Sequence, residues 1–467
     1  RDIGVTGVQT CALPISLEGA EPRVTRGSIA IGLEGAETVP LAEQGVAANI
    51  RLGTVDADAW ERALSGASGA PVTGEAADSN VALAYLPNSL ALRARQLTVG
   101  GRTLHNVVSG GVRAGRVWRA NVDADELSGY LEYRQPLGNA PGRVYARLAR
   151  MLISSSAESG VESLLDIEPA DVPALDVVVD RLQLRNLQLG RLEIDAVNLP
   201  GSAQAGGTDW RLNRLALLLP EAQFSANGQW GGAAPSPSGA VATRAARRRT
   251  QMNFQLDIAD SGALLERLGQ PGAIRGGKGR LEGQVAWRGS PLSFDYPSMN
   301  GAFSVAIESG QFLKAEPGIA KLLGVLSLQS LPRRLVLDFR DVFSEGFVFD
   351  FVRGDVSIQQ GTASTNNLQM KGVNAAVLMD GRTDIARETQ SIRVVVVPEI
   401  NAGTASLVAA TINPVVGLGS FLAQLFLRNP LIKAATQEFQ IEGSWGDPRI
   451  SRVERRIDTA PGNNPGQ

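Results

Sequence analysis

His105 is the sole histidine of the chain, so any Ser-His-Asp relay would hang on it alone, and a multi-histidine metal site is excluded. It lies in RTLHNVVSG, where apolar and polar residues alternate as in a strand, which favours a structural role. Gly276-Gly277-Lys278-Gly279 has the composition of a phosphate loop. It lacks the spacing, because no Ser or Thr follows the lysine and no long helix follows the glycines. Asp338 and Asp341 would suit acid–base work, yet Arg333, Arg334 and Arg340 surround them, and ion pairing at a sheet edge accounts for all five. We therefore expect no enzyme, no cofactor and no metal site.

Composition narrows the rest. The chain has 467 residues, long enough for about three ordinary domains unless it is one long repetitive sheet. A net charge of -2 argues against a general nucleic-acid binder. The hydrophobic share of 43% with 20% charged residues suits a folded soluble or peripheral protein. Only Lys278, Lys314, Lys321, Lys371 and Lys433 are lysines, and we read the arginine excess as a genomic preference and not as phosphate chemistry. Residues 5–16, VTGVQTCALPIS, resemble a translated sequencing adapter and make a poor signal peptide. Residues 1–16 are accordingly set aside as non-native read-through, together with the only cysteine, Cys11, which leaves no disulfide or thiolate ligand.

Period-two alternation dominates what remains. Leu182 and Leu184, Leu187 and Leu189, then Leu192 and Ile194 alternate with polar partners, separated by Arg-Asn and Gly-Arg pairs. The same rhythm runs through WRLNRLALLL, MNFQLDI, RLEGQVAW, GAFSVAI, LVLDF, GFVFDFV, IRVVVV and EFQIEGSW. Asn227-Gly228 and Asp380-Gly381 are expected to mark turns, and strands so closely spaced are expected to be consecutive antiparallel hairpins. Helices are few: one capped by Asp260 with Leu264, Leu265 and Leu268 on one side and Gly269 as its stop, one opening at Pro317, and one over Asp58–Leu64. The spacing predicts a mainly β protein, a long twisted antiparallel sheet curled into an open hydrophobic groove, with a few short helices and a C-terminal amphipathic helical segment. Its divisions are a β-groove over 17–230, a flexible loop over 231–250 whose Arg247-Arg248-Arg249 run reads first as solvated and second as a contact for anionic lipid headgroups, and a second β-groove portion over 251–402. An apolar helical segment follows over 403–436, then a final strand over 437–453 and a disordered tail over 454–467.

A sheet with one apolar face per strand must cover that face with helices, with a second sheet, or with apolar material from outside. Helices are too few here. Some two dozen strands at about 4.8 Å each would make a surface on the order of 100 Å long, and each lipid CH2 kept from water is worth about 0.8 kcal/mol. The groove candidates are Leu337, Phe339, Phe347, Phe349, Phe351, Ile392, Val394, Val396, Phe439 and Ile441. Two sheets closing on a dry core are the alternative. The most apolar stretch, residues 406–431, is split by Asn413-Pro414, so neither half is long enough to span a bilayer. From Val415 to Arg428 only Gly417, Ser420, Gln424 and Arg428 form a wet stripe. That suits insertion into one leaflet through Val415, Leu418, Phe421, Leu422, Leu425 and Phe426. A buried lid over the last strands is the other reading.

LPRRLVLDFRDVFSEGFVFDFVRGDVSIQQG (331–361), GRTDI (381–385), VVVVPEI (394–400) and IEGSWGDPRI (441–450) resemble the C-terminal region of YhdP-like members of the AsmA-like envelope family. In looser form the resemblance extends back to about residue 80. It implies a periplasmic protein held in the inner membrane by an N-terminal helix, a long apolar groove, and a C-terminal end that meets the outer membrane. Its implied partner is phospholipid, moved between the two membranes. No such anchor is seen in this sequence, which we attribute to truncation. Three functions are weighed: lipid transfer, a non-catalytic envelope scaffold gripping partner proteins along sheet edges, and an enzyme of envelope polymers, for which the chemistry is missing.

Overall fold

Alternating apolar and polar residues cannot bury a helix stripe but can bury one face of a pleated strand, and strands are what the chain forms. The computed structural model describes residues 8–10, 15–16, 23–24, 26–32, 43–59, 87–137, 141–153, 172–200, 208–232, 248–291, 293–313, 348–372, 375–398, 412–415, 417–428 and 430–453. Two units emerge. Unit 1 comprises Arg1–Leu219, Asn227–Arg249 and Ser290–Ser293, and unit 2 comprises Pro220–Ala226, Thr250–Gly289 and Phe294–Gln467. Both are mainly β with few short helices, as the alternation predicts.

Unit 1 holds β1 (Val8–Thr10), β2 (Ile15–Ser16), β3 (Arg23–Val24), β4 (Arg26–Ile31), β5 (Gly45–Asp56), β6 (Ser89–Val99), β7 (Arg102–Ala114), β8 (Val117–Asp123), β9 (Leu127–Arg134), β10 (Arg143–Ile153), β11 (Ala174–Leu184), β12 (Leu187–Pro200) and β13 (Thr208–Leu218). Its ladders are antiparallel from β6 to β10 and from β11 to β13. Three joints break the expected run of hairpins: β4–β5, β5–β6 and β10–β11 are parallel. Each coincides with a long connection, 32–44, 57–88 and 154–173, because a parallel neighbour is reached only by a crossover of about a dozen residues or more. The segment set aside as read-through also pairs, with Val8–Thr10 antiparallel to Ile29–Ile31. An open strand edge offers backbone groups to any extended segment.

The turn expectations hold only in part. Arg185, at φ 54, does turn between β11 and β12. Gly190-Arg191, however, lies inside β12, and so Leu187 to Ile194 is one strand. Gly190 has φ 75, and a Cβ there would meet the Leu218 carbonyl oxygen at 2.2 Å, so only glycine fits this kink. Asn227-Gly228 lies within β14 (Ala222–Gly232), and the expected loop is shorter than 231–250, since Arg248-Arg249 already belong to β15 (Arg248–Ile258). Residues 233–247 lie outside the described residues.

Unit 2 continues with β16 (Ile274–Gly276), β17 (Gly279–Arg288), β18 (Asn300–Phe312), β19 (Val348–Gln359), β20 (Thr362–Gly372), β21 (Ala375–Asp384), β22 (Thr389–Pro398), β23 (Gln437–Ser444) and β24 (Asp447–Arg452). From β17 to β24 every ladder is antiparallel. Among the described residues no ladder joins β24 back to the beginning of this series, so the sheet of this unit is open. Asp380-Gly381 sits within β21 and is no turn, and the last stretch is a hairpin of two strands where one was expected. Helix α1 (Ser261–Arg267) forms as read: the Asp260 side chain accepts from the Ala263 N–H at 3.0 Å, and Gly269 follows with φ 82. Arg267 of α1 pairs with the buried Glu221. Helices α2 (Gly417–Arg428) and α3 (Pro430–Ala435) replace the single expected segment. The Pro317 helix and all of the Asp58–Leu64 helix beyond a turn at 57–59 fall outside the described residues.

Candidate functional site

Register decides which side chains of unit 2 share a face. Ile307 opposes both Gly279 and Val352, Val305 opposes Leu281, and Phe303 opposes Gly283 and Val356. The apolar residues of β17, β18 and β19 thus point one way, while Glu282, Gln284, Ser304 and Asp355 point the other. Toward the C-terminus the same face gathers Ile274, Ile307, Phe312, Phe349, Val352, Met370, Val377, Met379, Ile392, Val394, Val396, Phe439, Ile441 and Ile450 into one cluster. Phe349, Val394 and Ile441 are fully buried in it. By contrast Leu281, Val285, Phe303, Val305, Ile307 and Val356 stay half-buried, so here apolar surface still meets solvent.

Six of the ten groove candidates therefore lie together: Phe349, Ile392, Val394, Val396, Phe439 and Ile441. Phe351 does not join them. The ladder between β19 and β20 shifts between Phe349 and Phe351, and the bulge sends Phe351 to the opposite face, beside Lys371 and with the Arg353 guanidinium 4.2 Å from its ring centre. Burial lowers the pKa of Arg353 from its ordinary value. Phe349 keeps to the apolar face, its ring 5.1 Å from that of Phe312. A Cβ at Gly310 would come within 2.6 Å of it, so the glycine makes room. Leu337, Phe339 and Phe347 lie outside the described residues, as do Asp338 and Asp341.

The opposite face of β21 and β22 is also apolar, which the strand pattern alone missed. Ala376, Leu378, Val395 and Val397 are buried beneath Ile412, Leu418, Leu422, Leu425 and Ile432, with Phe421 and Phe426 packed against them. Of the side chains read as entering lipid, Leu418, Leu422 and Leu425 are thus spent on the sheet, because an aliphatic side chain at 1–3% exposure has no surface left to offer. The solvent side of the segment carries Val415 at 88%, Leu427 at 84% and Leu431 at 78% exposure, and the last two were not foreseen. The wet stripe is wider than expected and includes Ala423, while Gly417 is buried. Polar contacts add to this packing: Asn366 Nδ2 donates to the Pro414 carbonyl at 2.7 Å, and buried Asn367 donates to the Ile412 carbonyl at 3.5 Å while also donating to Asp355 at 2.7 Å and accepting from its N–H at 2.9 Å. The two asparagines sit at a bulge within β20, where the ladder shifts between Thr365 and Leu368.

His105 stands in β7, its Nδ1 2.5 Å from Glu126 Oε1 and its N–H donating to Glu126 Oε2 at 2.8 Å. Burial pushes Glu126 up, but hydrogen bonds from the His105 ring and backbone outweigh it and hold the carboxyl below the ordinary range. Gly277 and Lys278 link β16 to β17, and the Ser261 hydroxyl donates to the Gly277 carbonyl, so this run holds α1 in place. A hollow of about 840 Å³ has a mixed lining, with Gln255, Glu282, Gln284 and Asp355 beside Phe254, Ala302, Phe303 and Val356. Among the described residues no cluster could hold a metal ion, and no helix is long and apolar enough to cross a membrane.

Among the described residues the face around Phe349 and Val394 is apolar across many strands. Comparison with known proteins gives that face a lineage. The intermembrane phospholipid transporter YhdP of Escherichia coli (strain K12) is 31% identical over 209 residues, which cover 44% of this chain and 16% of that protein. The chain thus matches only a small part of the length of this curated relative. No solved structure matches. The model of the family described as YhdP protein matches residues 10–450, and the chain belongs to that family.

Proposed function

We propose that this chain carries phospholipid along the apolar face of its sheet, as part of a non-catalytic transfer protein working in the cell envelope between inner and outer membranes. The observation that carries this reading is the half-buried row Leu281, Val285, Phe303, Val305, Ile307 and Val356, which continues into the buried cluster around Phe349 and Val394. Side chains that fill one another's space at the cluster give way to side chains with exposed surface, and acyl chains laid on that row would recover about 0.8 kcal/mol per CH2. Contacts of this kind are unspecific along the strand axis, so a tail is free to slide. Family membership and the activity for which the E. coli relative is named support the same reading.

Contact with a lipid surface belongs to the proposal, with Val415, Leu427 and Leu431 as the side chains that enter it. Between Glu399 and Glu438 the only charged residues are Arg428 and Lys433, so nothing in the segment repels anionic headgroups. Inner-membrane anchorage of the whole protein, a periplasmic position and an outer-membrane contact at the C-terminal end are parts of the same picture. The scaffold alternative draws less support, because β24 carries Pro448, Arg449 and Arg452, the residues with which a sheet blunts its edge against pairing.

The test is lipid extraction and mass spectrometry on protein purified in mild detergent, beside a Leu281→Asp/Phe303→Asp variant. These positions are chosen over Phe349 and Val394 because a carboxylate at a fully buried site would unfold the cluster. Phospholipid retained by the parent and lost from the folded variant supports transfer along this face. Lipid absent from both, or held equally by both, removes it.

A further inference from the structure

In unit 2 the polar side of β17, β18 and β19 meets the hollow of about 840 Å³, a volume in the range of small-molecule sites. Its shape follows from β18. On that face β18 carries Ala302, Ser304 and Ala306, short side chains between the longer ones of β17 and β19. The ladders put Glu282 opposite Ser304 and Ser304 opposite Asp355, so two carboxylates flank one hydroxyl in a single row across three strands. Alternation sends the side chains of Phe303 and Val356 to the other face.

The row is short of positive charge. Among the described residues no Lys or Arg lines the hollow. The basic residues next along the same face are engaged elsewhere, Arg280 with Asp257 at 2.7 Å and Arg353 over the Phe351 ring at 4.2 Å. The exposed Glu282 carboxylate has no hydrogen bond or ion pair to another described residue, and the Ser304 hydroxyl has none either. Asp355 is fixed through one oxygen, since Asn367 donates to its Oδ2 at 2.7 Å, and Oδ1 is left to accept. Strands β17 and β19 stand about 9.6 Å apart on either side of β18. One nitrogen bridges that gap with hydrogen bonds of about 2.9 Å once both carboxylates lean over Ser304.

We propose that Glu282, Ser304 and Asp355 form a site for a primary ammonium group. An alkylammonium has three N–H donors and no acceptor, and the row offers three acceptors, two of them charged. A quaternary ammonium brings the same charge without any N–H to donate. A calcium ion asks for six or more oxygens, about twice what this row supplies. The amine of a lipid headgroup and a free amine share the chemistry that remains. The site lies on the polar face and does not depend on the lipid-transfer reading.

Titration calorimetry of the full chain tests it, with ethanolamine and choline as free cations and with dihexanoyl phosphatidylethanolamine and phosphatidylcholine as lipid probes. Ethanolamine binds the parent about tenfold more tightly than choline, the worth of one charge-assisted hydrogen bond. Glu282→Gln weakens ethanolamine by a similar factor and melts at the parent's temperature, since that carboxylate has no partner to lose. If the ethanolamine lipid binds more tightly than free ethanolamine and the choline lipid does not match it, the ligand is a headgroup; without that gain it is a free amine. The choline lipid measures whatever the tails gain on the apolar face, so failure of the transfer reading leaves this comparison intact. Equal binding of ethanolamine and choline, no binding of either ethanolamine probe, or an unchanged Kd in Glu282→Gln overturns the site.

Discussion

Strands β11 to β13 of unit 1 and strands β21 and β22 of unit 2 are built from similar residues and end with opposite surroundings. In the first set Val177, Val179, Leu192 and Leu217 gather on one face. The other face holds Asp180, Arg191, Glu193 and Arg214 in exposed ion pairs. In the second set Val377 and Val394 lie on one face, while Ala376, Leu378, Val395 and Val397 lie on the other under α2 and α3. A strand that alternates strictly keeps one face wet, and a strand that reads as a continuous apolar run is waiting for a further layer. The helical segment is that layer.

The comparison breaks most readily at Leu378, which has no exposed surface. Leu378→Ala is expected to cost about 2–5 kcal/mol, while Leu192→Ala on the half-buried face of unit 1 costs roughly 1 kcal/mol. Urea titration of both variants reads the difference, and equal costs would mean that α2 and α3 contribute no real cover. Next in size is Asn367→Ala, expected to cost about 1–3 kcal/mol because it strips the Asp355 backbone and side chain of buried partners. Hydrogen exchange should then quicken across residues 417–435 while β11 to β13 keep their protection. Unchanged exchange would show that apolar contacts alone hold the cover.

The smallest effects concern pH, and their signs differ between the units. Glu126 has a native pKa below its unfolded one, so its contribution is full above the unfolded value and fades as pH falls through the native one. Asp380 runs the other way: burial raises it, Arg393 opposes and Glu438 adds. A raised native value gives stability that is full below the unfolded pKa and declines as pH rises through the native one. Asp380→Asn should therefore stabilise unit 2 at neutral pH, and His105→Ala should flatten the acid loss of unit 1. Denaturation midpoints between pH 3 and 8, an interval taken from the ordinary carboxylate range of about 4, check both. A destabilised Asp380→Asn variant would refute the sign.

Much of the fold was legible because its signal is local. The period of two in MNFQLDI, RLEGQVAW and GAFSVAI places apolar side chains on one side of β15, β17 and β18 whatever those strands pair with. The Asp260 cap needed only its own neighbours. Errors arose wherever a single residue of register mattered. Phe351 was expected beside Phe349, and one bulge moved it to the other face. Glycine pairs were read as turns at 227–228 and 380–381, yet they stand inside strands. The row at Phe303 and Val305 was read as strand but not as site, since exposure within a face depends on what else covers it.

By itself the sequence determined that this protein is built of half-apolar strands and that residues 406–431 form its most apolar stretch. Alternation and composition are properties of neighbours along the chain, so they survive any arrangement of the strands. Only the tertiary structure decided that Leu418, Leu422 and Leu425 face the sheet while Leu427 and Leu431 face out, that three ladders of unit 1 run parallel, and that Glu282, Ser304 and Asp355 stand in one row. Those outcomes depend on contacts between residues far apart in the chain, where bulges, crossovers and the layer above choose among faces that the sequence leaves equivalent.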